Sequence, residues 1–93
     1  VNNMLVEMKP QFESVKSYYG KANLDYFFDT VSLWSYNTLV AKYYGDKGVL
    51  HINGEYSNTT LRHIKEFAQQ MGFPKLSVSD MRKHGYVLVK GEI

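Results

Sequence analysis

The chain has 93 residues, 44% of them apolar and 15% aromatic, and a net charge of +2 from eleven Lys plus Arg against nine Asp plus Glu. Such a composition belongs to one folded domain, residues 1–93, near the small end of what a single core supports, and excludes a disordered chain. The near balance of charge counts against an acidic DNA mimic and does not by itself argue for nucleic acid.

Cysteine is absent, which removes disulfides, thiolate nucleophiles and thiolate metal sites together and fits a reducing compartment. No apolar run approaches the ~18–20 residues that span a bilayer. The first ten residues, VNNMLVEMKP, lack the basic region and apolar stretch of a signal peptide. A cytoplasmic protein with no membrane partner is expected.

Taken in order, Val1 to Pro10 is ambiguous. Met4, Leu5, Val6 and Met8 suit a short strand or a docking arm, Pro10 interrupts any regular element, and residues 1–10 are expected to be the least ordered segment, a flexible arm or one ordered by a partner. Val15 to Ala22 and Leu24 to Phe28 have strand composition, interrupted near Gly20 or Asn23, with Asp29-Thr30 as a short turn. Val31 to Tyr43 contains no Pro or Gly and is read as a second strand. Its alternation puts Val31, Leu33, Ser35, Asn37, Leu39, Ala41 and Tyr43 on one face and Ser32, Trp34, Tyr36, Thr38, Val40, Lys42 and Tyr44 on the other, neither of them purely apolar. A bend or bulge near Ser35-Tyr36-Asn37 would switch Leu39 and Ala41 relative to Leu33. Asp46-Lys47-Gly48 turns the chain into a third strand, Val49 to Asn53.

A helix follows from about Asn58 to Met71. Leu61, Ile64, Phe67 or Ala68, and Met71 recur at spacings of three and four, with Arg62, Lys65, Glu66, Gln69 and Gln70 mainly on the other side. Ser57, Asn58 or Thr59 can cap its start, Arg62 and Glu66 are spaced to pair, and Gly72 with Pro74 ends it. After Pro74, Ser77 to Gly85 reads as a short capped helical turn and Tyr86 to Lys90 as a last strand. The expected fold is α+β: a three- to four-stranded antiparallel sheet in β-β-β-α-β order, with one main helix on one face.

No catalytic or cofactor signature accompanies this architecture. His51, His63 and His84 share no helical spacing, so ordinary surface or packed histidines are expected rather than metal ligands. The Ser57-Asn58-Thr59-Thr60 cluster is explained by capping, no Gly-x-Ser-x-Gly occurs, and Gly54 stands alone rather than in a phosphate loop. What exceeds background is an interleaving of basic and aromatic residues: Lys16-Ser17-Tyr18-Tyr19-Gly20-Lys21, and Lys42-Tyr43-Tyr44 with Lys47. Aromatic faces beside Lys stack bases and hold phosphates, although Lys on half-exposed strands also protects sheet edges. The candidate binding residues are Lys16, Tyr18, Lys21, Trp34, Tyr36, Lys42, Tyr43, Lys47 and Arg62.

Three stretches carry a resemblance: Lys16 to Ala22, then Ser35-Tyr36-Asn37-Thr38-Leu39-Val40-Ala41, then Tyr56-Ser57-x-Thr59-Thr60-Leu61-Arg62-His63-Ile64-x-Glu66-Phe67. Across about Lys16 to Phe73 the chain resembles a family of small, uncharacterised phage-encoded proteins. The resemblance implies a phage or prophage origin and a small sheet-plus-helix module, and transfers no activity. The expectation is a non-enzymatic phage accessory protein, acting in the host cytoplasm on a host protein or protein–nucleic-acid complex. An anti-CRISPR-like inhibitor of a nucleic-acid-handling defence complex is the leading form. Direct DNA or RNA binding by a Lys/Tyr-rich sheet face is the alternative, and an assembly subunit or homodimer is a third.

Overall fold

A computed structural model describes residues 4–93. Six strands form one antiparallel sheet: β1 (Met4–Glu7), β2 (Ala22–Phe27), β3 (Thr30–Ser35), β4 (Thr38–Tyr44), β5 (Val49–Ile52) and β6 (Val87–Val89). They lie side by side in chain order. Between β5 and β6 the chain leaves to form α1 (Asn58–Gln70) and α2 (Val78–Lys83), then returns antiparallel to β5. The α+β class therefore stands, with six strands where the sequence suggested three or four, and with two helices, the main one and a second that falls on the short capped turn expected from Ser77 to Gly85.

The extra strands come from two places. The start of the ambiguous N-terminal segment, Val1 to Asn3, lies outside the described residues, and Met4–Glu7 pairs with β2 as an edge strand. Val31 to Tyr43 is not one bent strand but the β3–β4 hairpin, whose two-residue connection puts Tyr36 at φ 52 and Asn37 at φ 73. The long strand expected from Val15 shortens to β2, because Tyr19 (φ 54) and Gly20 (φ 77) turn the chain just before it. Turning also sits one residue earlier than expected between β2 and β3, where Phe28 takes φ 52 and is 87% exposed.

The register explains which face is covered. Val6, Leu24, Leu33, Ala41 and Ile52 stand opposite one another across five strands, and all but Val6 are buried under the helices. A register shift in β3–β4 leaves Val40 as an extra residue in the bulge, which returns Ala41 and Tyr43 to the face of Leu33. The opposite row, Leu5, Asp25, Ser32, Lys42, His51 and Val87, faces away from the helices.

α1 closes the covered face with Ile64, Phe67 and Ala68, all 0% exposed. Of the three candidate caps, Ser57 accepts from the Thr60 N–H. At the other end Phe73 N–H reaches Ala68 O at 2.9 Å and Gly72 N–H reaches Gln69 O at 3.0 Å, a Schellman arrangement that buries Phe73. Gly72 sits at φ +99, so Gly72→Ala is expected to cost about 1 kcal/mol. Thermal unfolding by circular dichroism should then show a Tm lower by roughly 4–8 °C. The second helix carries a capping box, Ser77 with Asp80.

Candidate functional site

Between β1 and β2 the chain crosses the edge of α1, and a buried carboxylate holds it there. Glu66, 2% exposed, accepts from the N–H groups of Gln11 at 2.8 Å, Phe12 at 3.1 Å and Glu13 at 2.8 Å. Gln70 Nε2 donates to the same carboxylate at 2.7 Å and to Lys9 O at 2.8 Å. Glu66 thus belongs to the inward side of the helix, against the outward position expected for it. Arg62 does not pair with it either. The Arg62 guanidinium donates to Glu13 at 2.7 Å, and Glu13 also accepts from Tyr18 OH at 2.7 Å. Burial pushes the Tyr18 hydroxyl well above its ordinary pKa, helped by that bond to Glu13.

Pinned this way, the segment after Glu13 forms one wall of a cleft of about 500 Å³. Lys16, Tyr18, Tyr19 and Lys21 come from this segment, Tyr36 from the β3–β4 turn, and Thr59, Arg62 and His63 from the first turns of α1. The Tyr36 N–H donates to Lys21 O at 2.9 Å, which ties two of these walls together. Lys21 Nζ lies 5.9 Å from the centre of the Tyr36 ring, within the range of a cation–π contact. Both exposed rings, Tyr19 (77%) and Tyr36 (50%), sit on left-handed backbone, which costs a non-glycine residue about 1–2 kcal/mol. Strain of this kind persists only where the surroundings impose it and gathers at functional positions.

His63 makes the floor. Its ring meets Tyr18 edge-on at 4.8 Å and lies under Tyr36 at 5.9 Å and 30°. Its Nδ1 is 2.8 Å from Ser35 Oγ, and Ser35 Oγ is 3.0 Å from Thr60 Oγ1. Burial and then the nearby Arg62 charge hold the His63 pKa below the usual histidine range, so the ring is neutral at neutral pH. The remaining histidines stand elsewhere: His51 is exposed on the face away from the helices, and His84 is the C-cap of α2.

Five of the nine residues singled out from the sequence, Lys16, Tyr18, Lys21, Tyr36 and Arg62, therefore line one cleft. The other four do not join them. Trp34 lies on the uncovered face of the sheet, beside a second cavity of about 310 Å³ with Leu5, Asn23, Asp25 and Asn37. Lys42 points to that same face, whereas Tyr43 packs under the helices, edge-on to Phe73 at 6.1 Å and with Lys90 Nζ 4.9 Å from its ring. Lys47 belongs to the turn at the far end of β4, about 20 Å from Tyr36 at some 3.3 Å per strand residue. Alternation puts Lys42 and Tyr43 on opposite faces, so no continuous Lys/Tyr sheet surface forms. The sequence suggests for His63 only an ordinary surface or packed histidine rather than a metal ligand, for Thr60 only a place in a capping cluster, and for Ser35 no functional role. The available signal was that all three are polar residues on inward-facing positions, with Thr60 and His63 three apart on the helix.

The three stretches that carry the resemblance meet here: Tyr18 from the first, Ser35 and Tyr36 from the second, and Thr60, Arg62 and His63 from the third. A family model, described as a family of unknown function (DUF8033), matches residues 6–83 and so extends beyond those stretches at both ends. No curated protein and no solved structure matches the chain. Among the described residues no helix is long and apolar enough to cross a membrane. With most of its length matched, the chain belongs to the DUF8033 family.

Proposed function

We propose that this chain is a non-enzymatic binding protein whose cleft takes single-stranded nucleic acid. One observation carries the reading: three cations, Lys16, Lys21 and Arg62, rim a cleft walled by Tyr18, Tyr19 and Tyr36. Cations track the phosphates of a strand while exposed rings stack its bases, and that combination is how sequence-tolerant single-strand binders work. The Ser35–His63 pair does not suggest a nucleophile. Both residues are 2% exposed, and Ser35 Oγ is already engaged by Thr60 on its other side.

Fluorescence anisotropy with labelled single- and double-stranded DNA at two salt concentrations tests this reading. Single strands should bind more tightly, with log K falling linearly in log salt. Lys16→Ala together with Lys21→Ala should reduce that slope by about 1.4, at roughly 0.7 for each phosphate that is no longer neutralised. Tyr36→Ala should weaken binding about tenfold, within the range for losing one stacked base. Undetectable binding, or affinity indifferent to salt, would remove the proposal.

A second reading is favoured by a different feature. Tyr26, Phe27 and Phe28 are all more than 40% exposed, and Phe27 packs edge-on against Phe28 at 4.6 Å. An exposed aromatic cluster of this kind suits a protein interface. It supports the other role expected from the sequence, a phage accessory protein that occupies a surface of a host nucleic-acid-handling complex.

A further inference from the structure

β1 is an end strand of the sheet, and nothing among the described residues pairs with its outer side. One bond tells which of its backbone groups face outward. Met8 N–H donates to Ala22 O at 2.9 Å, and Met8 stands opposite Ala22, one step past the Glu7–Asn23 pair. In an antiparallel ladder every second residue bonds the same neighbour. Val6 therefore bonds Leu24, while the N–H and C=O of Leu5 and Glu7 point away from β2. Such edges are commonly blunted by Lys, Pro or a bulge. β1 carries none of these: it reads Met4-Leu5-Val6-Glu7 and pairs with β2 in unbroken register. The opposite edge, β6, is shorter and is followed directly by Lys90 and a turn at Gly91.

The side chains along this edge say what would pair with it. Leu5 is 64% and Val6 40% exposed, and alternation puts them on opposite faces of the sheet. Leu5 shares the uncovered face with Glu7 and Asp25, and it borders the cavity of about 310 Å³ that also takes in Asp25 and Trp34. β1, β2 and β3 contain no Lys or Arg, and the nearest cation in register on that face is Lys42 of β4. This edge is therefore acidic on its uncovered face and apolar at Val6 on the other. A second copy of β1 would bring another Glu7 and no cation, and like charges across a ladder oppose pairing. A cationic strand suits it.

We propose that β1 is a docking edge for an extended segment of a partner protein, one that alternates apolar and cationic residues. Its backbone takes the outward groups of Leu5 and Glu7, its apolar residues meet Val6, and its cations lie over Leu5 toward Glu7 and Asp25. Main-chain bonds then give affinity and the alternate side chains give specificity. The site stands apart from the cleft, so its test is independent of the single-strand reading. Two blocked hexapeptides serve as probes, one alternating valine with lysine and one alternating valine with glutamate, titrated by NMR against the full chain. The lysine peptide should bind about fivefold tighter, since it gains the cross-strand charge pairs that the glutamate peptide opposes. Glu7→Lys, at an exposed position, should invert that order. Amide hydrogen exchange of the wild-type protein supplies a readout that charge attraction alone does not move. The Leu5 and Glu7 N–H groups, fast in the free chain, should slow with the lysine peptide bound, whereas Val6 should be slow in both. No binding of the lysine peptide, equal affinities, or a bound peptide that leaves Leu5 and Glu7 fast would overturn the proposal. A concentration-dependent dimer that protects those two amides without peptide would overturn it as well, by giving the edge to a second copy.

Discussion

Glu66→Ala should destabilise the protein by at least ~3 kcal/mol, a large fraction of the 5–15 kcal/mol available to a small domain. The alanine leaves the N–H groups of Gln11, Phe12 and Glu13 without their acceptor, and Gln70 loses a partner as well. The segment that carries Lys16, Tyr18, Tyr19 and Lys21 would lose its anchor on α1, so binding in the cleft should fall with stability. Glu66→Gln retains one acceptor oxygen but turns an amide donor toward other donors, and should lie between wild type and alanine.

The pH dependence of this contribution has a definite sign. Burial alone would raise the Glu66 pKa, but Gln70 and the three backbone N–H groups outweigh it and hold the carboxyl below the usual glutamate range. With the folded value depressed, the unfolded chain binds the proton first as pH falls. The stabilisation is therefore complete above the ordinary glutamate value of about 4.3 and is lost as pH drops through the lower folded value. Urea unfolding at pH 7 and at pH 3 checks this: the gap between wild type and Glu66→Ala should narrow at pH 3. An equal gap at both values would mean that the anchor does not depend on the charge.

How far the sequence reveals this arrangement depends on how local each signal is. The α1 stripe and its Gly72 exit are local, and they stand where periodicity and turn chemistry put them, whereas the sequence left the cap open among Ser57, Asn58 and Thr59. The alternation of β3 and β4 was also legible: Leu33, Ser35, Ala41 and Tyr43 do share the covered face, and Trp34 and Lys42 the other. Leu39 and Val40 break the alternation because of the bulge, which leaves no residue-type signature. The Tyr36–Asn37 turn was hidden for a related reason. Asn tolerates positive φ, but Tyr does not announce it, and Tyr36 is held there by Lys21 O and the His63 ring, which arrive from distant parts of the chain.

The cleft was half legible. Alternating Lys and Tyr in Lys16 to Lys21 pointed to it, because a short irregular segment keeps such residues together wherever it goes. The same composition in Lys42-Tyr43-Tyr44 pointed nowhere, since a strand divides neighbours between two faces. Glu66 was misplaced because an acid on a helix reads as solvated unless one knows that three unpaired N–H groups will be brought to it. Those donors come from residues more than 50 positions earlier, and only the folded chain supplies them.

Ile64→Asp separates the covered side of α1 from its outer side. Ile64 is 0% exposed, between Phe67 and Ala68 of the same helix and the strand residues beneath them. An aspartate there removes a large apolar side chain and buries a charge with no cation within the core, which costs several kcal/mol. The protein should be unfolded or aggregated at 25 °C, seen as loss of near-ultraviolet dichroism and of a cooperative urea transition. Lys65→Ala, one residue along and only half-buried, should leave the urea midpoint within about 1 kcal/mol of wild type, as exposed charges contribute little. Arg62→Ala removes the surface pair with Glu13 and should behave similarly in stability, while weakening single-strand binding because one cation at the rim is gone. If the domain tolerated Ile64→Asp and failed with Lys65→Ala, α1 would present its other side to the sheet. Arg62 and His63 would then not stand at the mouth and floor of one cleft, and the binding surface would have to be sought elsewhere.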